Sequence, residues 1–126
     1  MSPDRDKPEI DFPGETPPAE LVIEDLIDGD GATATAGKTV SAHYVGVAHS
    51  SGEEFDASWN RGAPLDFRLG VGQVIKGWDD GLLGMKEGGR RKITIPPHLG
   101  YGDRGAGAAI KGGETLIFVV DLVKVG

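Results

Sequence analysis

Glycine and proline punctuate this chain so densely that long helices have little room to form. The 126 residues include 21 Gly and 8 Pro, where average usage of the two sums to about 12%. They are spread among apolar runs instead of being gathered in one low-complexity block. The pattern predicts a turn-rich, mainly β domain.

The apolar runs between these residues read as strands. Residues 21–27 (LVIEDLI) form the first, ended by the turn residues Asp28-Gly29-Asp30-Gly31. A second covers 39–49 and contains Gly46, where glycine indicates a bulge or a close backbone approach. Ser50-Ser51-Gly52 predicts a hairpin turn, with 53–56 as the returning strand. Residues 60–64 read as a loop. Residues 65–69 alternate apolar and charged, as a half-buried strand does. Only 74–85 has helical spacing: Ile75, Trp78, Leu82 and Met85 share one face, with Asp79 and Asp80 toward solvent. In the strand 90–95, Ile93 and Ile95 point inward, and Arg90-Arg91-Lys92 reads as a solvated face. Pro96-Pro97 stops that strand, 97–113 is a Gly/Ala-rich loop, and 115–125 is the last and most apolar strand. The expected class is α+β, mainly β, with five or six strands and one short helix that buries its apolar stripe on the sheet.

The net charge of −7 is unevenly placed. Residues 1–30 carry ten acids and two bases, so the other 96 residues sum to +1. A nearly neutral body argues against nucleic acid or an anionic membrane as the main partner. Residues 1–19 hold five prolines and read as an extended or mobile segment, pinned if anywhere at Ile10 and Phe12. Residues 20–126 read as the folded domain. No signal peptide or membrane span is expected, since no apolar run nears about 20 residues. The chain has no cysteine, which excludes disulfides, thiolate metal sites and thiol nucleophiles and fits a reducing, cytoplasmic setting.

Chemistry-bearing residues do not converge. His43, His49 and His98 are scattered, and the first two would stand about 20 Å apart on an extended strand, too far to share a metal. Ser2, Ser41, Ser50, Ser51 and Ser58 lack a nucleophile-elbow context. Gly70-Val71-Gly72 lies between strand and helix as a dinucleotide loop would, but Ile75 replaces the third glycine and Arg90 the acid. No metal and no cofactor is expected. Any catalysis must then come from an apolar, aromatic pocket and a few hydrogen bonds. On these grounds alone Trp78, Phe55, Phe67 and Phe118 read equally as core aromatics, Asp56 as a turn acid, and Tyr44 and Tyr101 as partly buried tyrosines.

Several segments, taken in order, carry a resemblance. They are His43-Tyr44-Val45-Gly46; Gly52 through Ser58 (GEEFDAS); Val74 through Gly81 (VIKGWDDG) with Met85, Gly88 and Arg90; Ile95-Pro96-Pro97 leading to Gly100-Tyr101-Gly102; and Glu114 through Phe118 (ETLIF). Together they resemble the FKBP-type peptidyl-prolyl cis-trans isomerases, of the single-domain, bacterial-like kind, over about residues 21–125.

The resemblance implies a five- to six-stranded antiparallel half-barrel sheet wrapped around one short helix, with the substrate pocket between helix and concave sheet. It implies reaction-side roles for Asp56, Tyr101, Ile75, Trp78 and Phe118. The Ile75 N–H and the Tyr101 hydroxyl would receive ligand carbonyls, and Asp56 would face the rotating carbonyl. Tyr44, Phe55, Leu65, Phe67 and Val74 would bind substrate, Arg61 would support the aspartate, and Ile110 would sit in the loop overhanging the pocket. The chain departs from the family pattern at Leu65 (a family phenylalanine), Ala106 (a histidine in many members), Ala109 and Lys111, and has one extra residue near His49-Ser50-Ser51. The implied partners are proline-containing peptides, unfolded or nascent proteins, and macrolide inhibitors such as rapamycin and tacrolimus, met by a cytoplasmic monomer. The alternatives are a binding module of the same fold, or a weak chaperone, with vestigial isomerase activity.

Overall fold

A computed structural model describes residues 7, 8, 10, 16–106 and 110–126. The expectations for Phe12 and Ala109 lie outside these residues. Among these residues six strands, β1 (Val22–Ile27), β2 (Thr39–Ala48), β3 (Glu54–Ala57), β4 (Leu65–Arg68), β5 (Arg90–Ile95) and β6 (Leu116–Val125), join one helix, α1 (Lys76–Gly81). Two 3₁₀ turns, Ser58–Arg61 and Pro97–Leu99, lie in the connections. The sheet runs β1-β5-β6-β2-β3, with β4 also paired to β2. Every pairing is antiparallel. This is the expected mainly-β sheet with one short helix.

Period-2 alternation fixes what each face buries. Val40, Ala42 and Tyr44 of β2 join Leu116, Phe118, Val120 and Leu122 of β6 in the core beneath α1, with Ile93 and Ile95 of β5. The opposite parity, Val45 and Val47 against Val119 and Ile117, is buried on the other face. Gly46 shows both signs that its place in a strand predicts. The β2–β3 register shifts between Gly46 and Val47. A Cβ on Gly46 would also stand 2.6 Å from Phe55 Cζ and 2.7 Å from Phe118 Cε1. Two rings therefore cross the sheet where it carries no side chain.

The helix is shorter than 74–85. It ends at Gly81, because the chain beyond satisfies its backbone against a different segment. The Gly84 N–H donates to the Ala34 carbonyl at 2.9 Å, and the Ala34 N–H to the Met85 carbonyl at 2.8 Å. The expected face survives outside the helix: Trp78, Leu82 and Met85 are all buried, and Ile75 stands half-buried just before α1.

One charge expectation is corrected. Arg91 is buried. Its guanidinium meets Asp25 Oδ1 at 2.6 Å and donates to the Gly81 carbonyl at 2.8 Å and the Leu83 carbonyl at 3.2 Å. It thus satisfies carbonyls at the C-terminal end of α1, which the helix itself leaves open. Arg90 makes a two-pronged contact with buried Asp121, at 2.6 and 2.8 Å. The basic run is therefore mostly structural, because both arginines find a carboxylate on a neighbouring strand, Asp121 on β6 and Asp25 on β1. Asp79 stands on the solvent side of the helix and accepts from the Gly70 N–H at 2.8 Å and the Gly72 N–H at 2.9 Å.

The helix lies so close to β5 that a Cβ on Gly77 would fall 2.5–2.7 Å from three carbons of Ile95. Gly77→Ala should therefore destabilise the protein by about 1–3 kcal/mol through overpacking, against the roughly 1 kcal/mol gain in helix propensity that alanine would bring on an open surface. Urea unfolding checks this. A neutral or stabilised variant would contradict the close helix–sheet contact.

Candidate functional site

A cavity of about 340 Å³ opens between α1, β3 and the loop after β5. It is lined by Tyr44, Phe55, Asp56, Leu65, Gln73, Val74, Ile75, Trp78, Tyr101 and Phe118. The lining draws on five elements and two loops: Tyr44 from β2, Phe55 and Asp56 from β3, Leu65 from β4, Trp78 from α1, Phe118 from β6, with 73–75 before α1 and Tyr101 after β5.

The apolar wall is a set of ring contacts. Trp78 meets Tyr44 edge-on at 5.0 Å and Phe118 edge-on at 5.3 Å. Phe55 meets Phe118 at 5.5 Å with planes at 90°. Edge-to-face pairs at these separations are favourable beyond the area they bury. Of the three expected site residues outside the lining, Phe67 is buried and packs against Trp78 at 5.5 Å, and Ile110 is buried within the core cluster. The third, Arg61, reaches Asp56 and Tyr44. Ile110 is tied to Ala106 by bonds in both directions between their backbones.

The polar side is a closed triangle. The Tyr44 hydroxyl donates to Asp56 Oδ2 at 2.5 Å. Arg61 donates from Nη1 to Asp56 Oδ1 and from Nη2 to the Tyr44 oxygen, both at 2.8 Å. Burial, and then its bond to Asp56, push the Tyr44 phenol above its ordinary pKa. The bond to Tyr44, and then that to Asp56, hold the Arg61 guanidinium further into its charged form. The acid at the cavity wall is thus matched by a cation, and the phenol between them stays neutral.

Gln73 was not expected from the sequence. It lines the cavity, and its Oε1 accepts from the Arg68 N–H at 2.8 Å. Fully buried Ser58 was also missed. Its Oγ accepts from the Tyr44 N–H at 2.7 Å and lies 2.8 Å from His43 Nδ1. His43 stacks on Trp59 at 4.2 Å, and burial lowers its pKa. Neither Gln73, in the loop before α1, nor Ser58, in the turn after β3, has a sequence signal that separates it from an ordinary loop polar residue. The hairpin tip with the extra residue is fastened by Glu114, which accepts from the Ser50 hydroxyl at 2.7 Å and the Ser50 N–H at 3.1 Å. A second cavity of about 350 Å³ lies beside β1, but its arginine, Arg91, is held by Asp25 and by carbonyls.

Tyr44→Phe removes one bond to each member of the charged pair while keeping the ring. It should cost about 1–2 kcal/mol of stability, since partners are left in a half-buried place. Unfolding of the variant reads this directly, and wild-type stability would show that the triangle contributes nothing.

Comparison with known proteins agrees with this geometry. The family model described as FKBP-type peptidyl-prolyl cis-trans isomerase matches residues 31–123. The chain is 69% identical over 121 residues to an FK506-binding protein of Streptomyces anulatus, covering 95% of this chain and 98% of that one. It is 56% identical over 105 residues to an FK506-binding protein of Neisseria meningitidis serogroup A, covering 83% and 95% of the two chains. The crystal structure of AtFKBP13 matches with a TM-score of 0.78 and 43% identity, covering 84% of this chain and 93% of that one. By family match, relatives and fold together, the chain belongs to the FKBP-type peptidyl-prolyl cis-trans isomerases.

Proposed function

We propose that this peptidyl-prolyl cis-trans isomerase speeds Xaa–Pro rotation in folding proteins by holding the twisted amide in the Trp78 cavity, and that macrolides such as rapamycin and tacrolimus compete for the same cavity. The observation that carries the reading is the ring-lined wall around Trp78 with one charge-matched acid at its side.

The amide resists rotation because lone-pair delocalisation gives its C–N bond double-bond character, a barrier of about 18–20 kcal/mol. Uncatalysed exchange takes tens to hundreds of seconds, roughly. No covalent bond has to break. The enzyme has only to bind the twisted form better than either planar form. Twisting reduces the charge separation of the amide, so a ring-lined cavity favours the twisted form relative to water. Tyr44, Phe55, Trp78 and Phe118 supply that wall. The Ile75 N–H and the Tyr101 hydroxyl, by family resemblance, take the flanking carbonyls and fix the proline ring over Trp78. Val74 and Leu65 close the rim. Asp56 acts on the rotating carbonyl through its field. It accepts no proton in this scheme, since rotation about the amide releases none; its two oxygens are bonded to Tyr44 and Arg61. A thousandfold acceleration requires only about 4 kcal/mol.

Trp78→Ala should lower stability by about 3–5 kcal/mol, as expected for a buried aromatic, and weaken rapamycin binding. Proline-peptide isomerisation with and without rapamycin, together with the melting temperature, tests both. Retention of wild-type values would remove Trp78 from the pocket. A folded wild-type protein that binds rapamycin without isomerase activity would favour the binding-module alternative.

Turnover should also stay nearly flat from about pH 6 to 9, because the unperturbed carboxyl and phenol ranges lie near 4 and 10. The direction of the Tyr44 shift widens this window. With its folded pKa raised, its contribution is complete below the ordinary phenol range and is lost only as pH rises through the folded value. A rate that changes steeply within this window would implicate a proton transfer that amide rotation does not contain, and would contradict the scheme.

A further inference from the structure

Lys7 lies outside the stretch matched by the family and outside the cavity lining. It is nevertheless bonded to the short arc of chain that carries the pocket's charged pair. Its Nζ meets Glu54 Oε1 at 2.7 Å and Asn60 Oδ1 at 3.0 Å. Asn60 Nδ2 donates in turn to Glu54 Oε2 at 2.9 Å, closing a three-membered clasp. Glu54 stands two residues before Asp56, and Asn60 stands immediately before Arg61. The clasp therefore joins the start of β3 to the 3₁₀ turn that follows it.

The middle of this arc is held by buried Ser58, bonded to the Tyr44 N–H, and by Trp59 stacked on His43; the clasp ties its outer, exposed residues. β3 is four residues long, lies at the end of the sheet order, and pairs with β2 through a shifted register. The Asp56–Arg61 pair is itself about half exposed, at 44% and 50% of its side chains. Pro8 and Ile10, just after Lys7, are half-buried, so the segment rests on the body at this point. The bond from Lys7 also holds the Glu54 carboxyl below its ordinary pKa.

We propose that Lys7 is a positioning residue for the isomerase site: by clasping Glu54 to Asn60 it fixes the arc on which Asp56 and Arg61 face each other. The inference rests on the assignment of Asp56 to the pocket. An ion pair this exposed adds little to global stability. Its leverage is on geometry, to which turnover is far more sensitive than folding is.

The test is kcat/KM for a proline peptide in full-length Lys7→Met, Lys7→Arg, Asp56→Asn and the Lys7→Met/Asp56→Asn double variant, with melting temperatures. Lys7→Met should lose about two- to fivefold, the range open to an exposed ion pair. Its melting temperature should be unchanged, and Lys7→Arg should restore the rate. The loss should shrink near 1 M salt, where the screening length falls to about 3 Å. In the Asp56→Asn background Lys7→Met should have no further effect. Wild-type turnover in Lys7→Met, an equal loss in both backgrounds, or a loss that tracks a lowered melting temperature would each overturn the proposal. Full turnover in Asp56→Asn alone would instead show that Asp56 has no part in the reaction, and the action of Lys7 through it falls as well. An impaired Asp56→Asn beside an unimpaired Lys7→Met sinks only the role of Lys7.

Discussion

Everything in this molecule depends on how closely one six-residue helix can lie on the sheet. A helix that short has almost no stability of its own, so packing must hold it in place. Gly77 makes that packing possible by letting the backbone come down onto Ile95. Once the helix is seated, Trp78 has only one place to go. Its indole is wedged among Tyr44, Phe67 and Phe118, nearly closed to solvent on the sheet side. The same ring is the last layer of the core and the floor of the cavity. The fold and the proposed site thus share one contact surface.

The polar group at the cavity wall solves a different problem. A carboxylate next to an apolar cavity is costly unless it is matched. Asp56 is matched on both oxygens, by a guanidinium and by a phenol, and those two partners are bonded to each other. The arrangement keeps a fixed, charge-matched polar group at the cavity wall, where the proposed reaction would place the amide. That suits a reaction in which only the electronic distribution of one amide changes.

Much of this was legible in the sequence, for identifiable reasons. Strands could be read because glycines and prolines cut the chain into runs with a clear period. Gly46 could be read because a glycine inside a strand usually marks a bulge or a close approach, and in β2 it marks both. The helix was read too long because Leu82 and Met85 keep helical spacing, although the segment around Ala34 takes over the backbone bonds at Gly84 and Met85. Arg91 was read as solvated because charge on one strand says nothing about carbonyls brought in by another element. Gln73 lines the cavity, yet its side-chain role depends on a loop closure that leaves no local pattern. The clasp at Lys7 spans 47 and 53 positions to Glu54 and Asn60, beyond any sequence spacing rule.

The central claim is that this cavity turns an amide without moving a proton. The solvent isotope effect on kcat/KM for a proline peptide tests it most directly, with light and heavy water compared at matched viscosity. Rotation in an apolar pocket predicts equal rates in the two solvents. A severalfold slower rate in heavy water would mean that proton transfer lies in the transition state, and would contradict a mechanism of rotation alone.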